Sequence, residues 1–267
     1  MKKLLLFLVL AGCAKESPYT YTFTIAAMFK NEAKWLSEWI DYHANVLGAE
    51  HFYLYNNDST DAYKEALAPY LESGLVELIE WSSKDPSHKI EDPSSDAPWC
   101  STQIGAYNDC LRTKALGKAK WVAMIDIDEF IVPTHGVQSF YKLLKTAEKN
   151  RKGTVKLLWK MFGTSHVESL KPGERLIEKL TLRASDNHVA HRERKSLYRP
   201  EAVQFCLIHE THQLNEGFGA MMAKPELFRI HHYWTRTEEE LRRKRRASSC
   251  EELNVVEDTT ILQYLDR

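Results

Sequence analysis

Asp126, Ile127, Asp128 and Glu129 follow the apolar run Trp121 to Ile125 and precede a second apolar run, Phe130 to Val132. Carboxylates at the end of a core segment are costly unless they are paired, hydrogen-bonded or bound to a cation. On an extended backbone, residues two apart point to the same side. Asp126 and Asp128 then present their carboxylates together, while Ile127 turns into the protein and Glu129 faces away from the pair. Like charges so placed repel, and a hard divalent cation such as Mn²⁺ or Mg²⁺ relieves them while keeping positions open for substrate phosphates. Such an ion neutralises a diphosphate as it leaves. A strand that ends in solvated aspartates carries the same pattern, so the surrounding elements must separate the two readings.

Those elements alternate. Tyr21 to Met28 predicts a core strand,. Trp35, Leu36, Trp39, Ile40, His43 and Leu47 follow at spacings of three and four, a helix closed by Gly48,. Phe52 to Tyr55 predicts a second strand, Asn56 to Asp61 a turn, about Ala62 to Ser73 a helix, and Val76 to Trp81 a third strand,. Ser82 to Pro98 predicts a long loop, Ser101 to Leu116 a helix, and Trp121 to Ile125 the fourth strand,. This order implies parallel strands with crossover helices, a doubly wound sheet whose ligands sit at the strand carboxyl ends. Asp126 and Asp128 fall at one such end. Beyond Pro133 the texture changes. A helix over Val137 to Lys149 precedes strands over Val155 to Trp159, Arg175 to Arg183, Val203 to His209 and Leu227 to Trp234. Thr237 to Arg246 predicts a helix capped by Thr237, its basic end matching the helix dipole,.

The 267 residues suit one large domain, 19–267, behind a short leader, 1–13,. With 36 basic and 37 acidic residues, the chain lacks the footprint of a nucleic-acid binder,. The leader has two lysines, a short apolar stretch from Leu4 to Leu10, and Leu10-Ala11-Gly12-Cys13, which resembles a bacterial lipobox,. Its apolar part is too short to span a bilayer. The expectation is peripheral membrane association at the cell envelope, the alternative being a cytoplasmic protein. Cys100, Cys110, Cys206 and Cys250 show no zinc-ligand spacing; buried free thiols are the default,.

The order of segments resembles glycosyltransferase family 92, of the GT-A fold. The segments are Lys30-Asn31-Glu32 with the helix and strand through Asp61, Gln103 to Leu111, Asp126 to Phe130, Met161 to Ser165, Lys195 to Val203, and His231 to Leu241. His166 departs from the small residue expected after the Phe162 to Ser165 turn. The resemblance implies a Rossmann-like doubly wound sheet with a mixed, acceptor-side C-terminal half. It also implies inverting transfer of a hexose, galactose first, from a UDP-sugar to a glycan acceptor. Asp126 and Asp128 match the metal-binding pair and His232 the late histidine ligand, with His231 pointing the other way.

Asn31, Glu32, Asn57, Asp58 and Asp61 follow strands where a uridine would sit, although turn and helix capping also account for such residues,. Gln103 and Asn108 are candidate nucleotide contacts, and Lys195 and Arg199 candidate phosphate partners,. Inversion needs a base, for which Glu210, Asp186 and Glu129 are the candidates,. Two rivals remain. One is another divalent-metal nucleotidyl or phosphoryl enzyme, against which Phe29 to Glu32 lacks a glycine-rich phosphate loop. The other is a non-catalytic glycan-binding envelope lipoprotein,.

Overall fold

The computed structural model describes residues 18–91, 98–244 and 250–265. The leader through Cys13 lies outside them, as do Arg245 and Arg246 of the basic helix end. Strand β1 (Tyr21–Phe29) sends Phe23, Ile25, Ala27 and Phe29 into one core and Ala26 into another, the alternation of a strand covered on both faces. Helix α1 (Ala33–Asn45) lays Trp35, Leu36, Trp39 and Ile40 on the first core. Gly48 follows it with φ 72°, left-handed backbone that a Cβ disfavours,. Then come β2 (His51–Asn56), α2 (Tyr63–Glu72), β3 (Val76–Glu80), α3 (Pro98–Asp109) and β4 (Ala119–Met124). Helix α3 runs on into a wider turn, Cys110–Lys114, where the Ala115 N–H reaches the Cys110 carbonyl at 2.8 Å. The strands lie in the order β3-β2-β1-β4, all parallel, as the alternation predicts.

The second half contains β5 (Glu129–Pro133), α4 (Val137–Lys149), β6 (Lys152–Met161), α5 (Leu176–Lys179) and β7 (Leu182–Arg183). It continues with β8 (Arg194–Tyr198), β9 (Val203–Cys206), β10 (Thr211–Leu214), β11 (Gly219–Met222), β12 (Phe228–His232), α6 (Glu238–Arg243) and β13 (Val256–Glu257). The sheet runs on from β4 through β8, β6 and β12 to β5, with β11 beside β6. Strand β8 is antiparallel to β4 and β6; β12 is parallel to β6 and antiparallel to β5. The fold is thus α/β with a parallel half and a mixed half. The strand expected over Arg175 to Arg183 is instead the helical turn α5 and the two-residue β7. The Glu38 carboxylate accepts the Leu176 and Ile177 N–H groups, both at 3.0 Å, and so starts a helix,. The four described cysteines are buried, and Cys110, Cys206 and Cys250 form no disulfide.

Asp126 to Glu129 forms a tight turn, the Glu129 N–H reaching the Asp126 carbonyl at 3.0 Å. A flat sheet would separate β4 from β5 by four strand spacings of roughly 4.8 Å, out of reach of such a turn. The sheet is therefore curled. Its curl gathers the carboxyl ends of β4, β6 and β12 and the starts of β5 and β8 around the acidic turn.

Candidate active site

The turn is held from both sides. Asp126 Oδ2 accepts the Lys195 Nζ at 2.7 Å, and Oδ1 accepts Gln103 Nε2 at 2.8 Å and the Tyr107 hydroxyl at 3.2 Å. Glu129 Oε2 accepts the Asp126 N–H at 2.9 Å, a return bond across three residues. Asp128 Oδ1 lies 3.4 Å from His232 Nε2, and the Asp128 carbonyl accepts the Tyr233 N–H at 2.8 Å. The partners therefore come from α3, β8 and β12, while the turn between β4 and β5 carries the two aspartates.

Charge is balanced pair by pair. Lys195 and Glu129 have no exposed surface and lie 3.7 Å apart. Burial alone would strip the lysine, but Asp126 and Glu129 hold its pKa above the usual lysine value,. Burial pushes Glu129 up to about 8, with Lys195 opposing and Asp126 reinforcing the shift. Burial works against the Asp128 carboxylate as well, yet the His232 charge and hydrogen bond, then Arg236 and Lys244, hold it well below the usual range. His232 loses to burial but gains more from Asp128, so its pKa is raised. Arg236 adopts left-handed backbone, φ 54°, reaches Glu32 Oε2 at 2.5 Å and lies 4.9 Å over the Trp35 ring. Trp159 packs edge-on against His232 at 4.4 Å and His209 at 5.4 Å. The His209 Nδ1–H donates to the Arg194 carbonyl at 3.0 Å.

The expected metal trio of Asp126, Asp128 and His232 is not assembled as such. Among the described residues no three His, Cys, Asp or Glu side chains converge as ligands. The reason is local: the Lys195 ammonium already neutralises Asp126. Asp128 and His232 fit a cation better, offering an oxygen and a nitrogen on adjoining elements, both largely buried. A carboxylate with one imidazole would suit a divalent ion of the Mn²⁺ type.

The other expected residues divide. Gln103 and Lys195 do reach the acidic turn, through Asp126 rather than toward open solvent. Glu129, expected to face away, lies buried beneath the pair because the turn replaces the regular strand. Asn108 is a correction. It is 1% exposed, donates to the Ile104 and Cys206 carbonyls and accepts the Cys206 N–H, tying α3 to β9. Asn31 and Asp58, both with φ 56°, stand at strand carboxyl ends as expected. Asn31 Oδ1 accepts the Thr60 N–H at 2.7 Å, and Asp58 Oδ2 accepts the Ser83 N–H and hydroxyl at 3.1 and 3.0 Å. Asn57 donates to the Trp81 carbonyl, and Asp61 caps α1 at the Ala33 N–H. Together these bonds lace the loops after β1, β2 and β3. Glu32 is occupied by Arg236.

Glu210 and Asp186, the candidate bases, are both ion-paired. Lys156 at 3.2 Å and Arg194 at 3.0 Å outweigh the effect of burial and lower the pKa of Glu210. The Lys160 hydrogen bond, with Arg183 adding, lowers that of Asp186, whose side chain is 70% exposed. Arg199 pairs with Glu201, away from the turn. His231 points to the opposite side of β12 from His232, as expected, with Nε2 accepting the Arg229 Nε–H at 3.0 Å. His166 has φ 59° and a side chain 57% exposed, opposite Glu251. Tyr107, Trp159 and Arg236 are the residues that sequence reasoning missed. Tyr107 had a signal, four residues after Gln103 and so on the same helix face.

The family profile described as glycosyltransferase family 92 matches residues 19–267. A glycosyltransferase family 92 protein of Arabidopsis thaliana is 29% identical over 229 residues, 82% of this chain and 36% of that protein. One of Oryza sativa subsp. japonica is 27% identical over 217 residues, 80% of this chain and 33% of that protein. A galactan beta-1,4-galactosyltransferase of Arabidopsis thaliana is 28% identical over 120 residues, 44% of this chain and 21% of that protein. The chain thus spans about a third or less of the length of these curated relatives, 36% of the first and 21% of the last. Among solved structures, S. aureus TarS 1-349 in complex with UDP-GlcNAc is similar at 11% identity and a TM-score of 0.46, over 85% of this chain and 62% of that one.

Proposed function

The chain belongs to glycosyltransferase family 92, and on that premise we propose that it transfers a hexose, galactose first, from a UDP-sugar to a glycan acceptor with inversion, aided by Mn²⁺ or Mg²⁺. The observation that carries this reading is the Asp128–His232 pair beside the Asp126–Lys195 pair, gathered where the carboxyl ends of β4, β6 and β12 meet. Galactose is favoured by the relative named a galactosyltransferase.

A divalent ion held there supplies positive charge to the diphosphate. The protein residues do the rest. Asp128 and His232 would hold the ion. Asp126, pinned by Lys195 and Gln103, keeps its 33% exposed carboxylate at the rim for a ribose hydroxyl,. Trp159, against His232, offers a flat apolar face to a sugar ring,.

The test is a screen of nucleotide sugars and divalent metals that follows UDP release and glycosylated product, run in parallel on Asp128→Ala. We expect the variant to fold but to lose about 10²-fold or more in rate, the several kcal/mol a metal ligand supports. Turnover that Asp128→Ala leaves intact defeats the proposal. Transfer of a nucleotidyl group, or metal-independent glycan binding without turnover, would favour the two rival readings. We also propose membrane association through the Lys2 to Cys13 leader. Fractionation of the chain with and without residues 1–13 tests it; full-length protein found wholly in the soluble fraction refutes it.

A further inference from the structure

Glu129 is a carboxylate with no exposed surface, a state that needs specific partners,. One of its oxygens is accounted for: Oε2 accepts the Asp126 N–H at 2.9 Å. The other, Oε1, is buried without a hydrogen-bond partner among the described residues, and so is His232 Nδ1. These two atoms are 3.9 Å apart. That gap is about an ångström beyond hydrogen-bond length, within the reach of a small rotation of either side chain. Their approach is built into the sheet, because His232 and Glu129 are direct cross-strand partners in the β12–β5 ladder,. The Trp39 indole N–H fixes the Glu129 carbonyl at 2.9 Å, so the start of β5 cannot drift.

We propose that Glu129 is the positioning residue of the site: it binds the Asp126 amide through Oε2 and accepts the Nδ1–H of His232 through Oε1, which aims His232 Nε2 at the cation position shared with Asp128. The proposal deepens the metal-assisted reading above and rests on it for the role of Nε2. A carboxylate behind a ligating imidazole fixes its tautomer and orientation, and losing it costs about 10- to 100-fold in metal affinity. A carboxylate kept only to neutralise Lys195 and close the turn would contribute to stability and leave the ring alone.

Glu129→Gln separates the two roles. The amide carbonyl still accepts the Asp126 N–H, but its NH₂ now faces Nδ1, so the ring must accept there and carry its proton on Nε2. The ring nitrogens of ¹⁵N-histidine protein, assigned with His232→Asn, report this directly without donor, acceptor or metal. Read at a pH above the raised pKa of His232, the neutral ring should keep its proton on Nδ1 in the wild type and on Nε2 in Glu129→Gln. Mn²⁺ binding, followed by the free-ion EPR signal, should weaken about 10- to 100-fold in Glu129→Gln, with no further loss from the variant when His232 is already Asn. A wild-type Nδ1 without a proton, or equal Mn²⁺ affinity in wild type and Glu129→Gln, overturns the proposal. Should the variant fail to fold, the wild-type ring measurement decides alone. Should the wild type bind no Mn²⁺, the metal reading falls, and the ring measurement still decides whether Glu129 positions His232.

Discussion

A lysine with no exposed surface keeps its charge only where carboxylates face it, and Lys195 has Asp126 at 2.7 Å and Glu129 at 3.7 Å. Removing one partner of a buried ionic cluster leaves the others uncompensated, at a cost of about 3–5 kcal/mol. Lys195→Met should therefore destabilise the fold by about that much in guanidinium titrations near pH 7. Glu129 adds little to the loss at pH 7, since burial already pushes it up to about 8 with Lys195 in place. Raising the pH from 7 to 9 should then widen the gap between Lys195→Met and wild type, because the variant's Glu129 must ionise without a cation beside it. A gap that stays constant with pH would show that Glu129 is not the group left behind. At this scale the sequence showed which residue types were unusual but not which oxygen met which nitrogen. Lys195, a candidate phosphate partner, and Gln103, a candidate nucleotide contact, both meet Asp126, pairings that depend on a strand 69 residues away and a helix 23 residues away.

Two polar residues on one helix show what an element decides. Gln103 and Asn108 are five apart on α3, and at about 100° per residue they face directions about 140° apart. Gln103 accordingly meets the acidic turn, and Asn108 meets β9. Asn108→Ala removes two donated bonds and one accepted bond from a buried site, so stability should fall by about 2–4 kcal/mol in denaturant titration, with metal and UDP affinity unchanged,. Gln103→Ala should cost about 1 kcal/mol and act on Asp126 instead. Weakened UDP binding in a folded Asn108→Ala protein would return that residue to the site. The elements themselves were legible where the signal was local. The alternation through β4, the helix over Val137 to Lys149 and the Thr237 cap of α6 all follow from periodicity and end residues. Strands β5 and β8 were not assigned. They are five residues long and gain their partners only from β12, β4 and β6, far away in the chain. The α5 segment reads as a strand in the sequence because its starting cap, Glu38, belongs to α1.

The whole molecule closes where its last sheet edge meets its first helix. Among the described residues strand β5 pairs with β12 on one side only, and an unpaired strand edge needs covering. Side chains of α1 supply the cover. The Trp39 indole N–H donates to the Glu129 carbonyl at 2.9 Å and the Tyr42 hydroxyl to the Ile131 carbonyl at 2.9 Å, while His43 Nε2 accepts the Ile131 N–H at 3.3 Å. His43 Nδ1–H donates to the Trp39 carbonyl at 2.8 Å, which fixes the neutral tautomer with Nε2 as acceptor,. Burial lowers the His43 pKa to about 3, so the native state refuses a proton that the unfolded chain takes near 6.5,. A folded pKa below the unfolded one gives stability that is present above about pH 6.5 and is lost as the pH falls toward 3. The loss approaches about 1.4 kcal/mol per pH unit, or about 2–3 kcal/mol by pH 4.5 from this residue alone. His51, His191, His209 and His231 are lowered in the same direction, mainly by burial, and steepen the fall. His43→Gln keeps a hydrogen-bonding side chain but cannot titrate. It should be less stable than wild type at pH 7.5, and the difference should shrink by about 2 kcal/mol at pH 5 in paired denaturant titrations. An unchanged difference would place the acid sensitivity elsewhere. A shrinking one would identify the α1–β5 seam, which also anchors Glu129 beneath the acidic turn, as the point where acid opens the curl of the sheet and the site together.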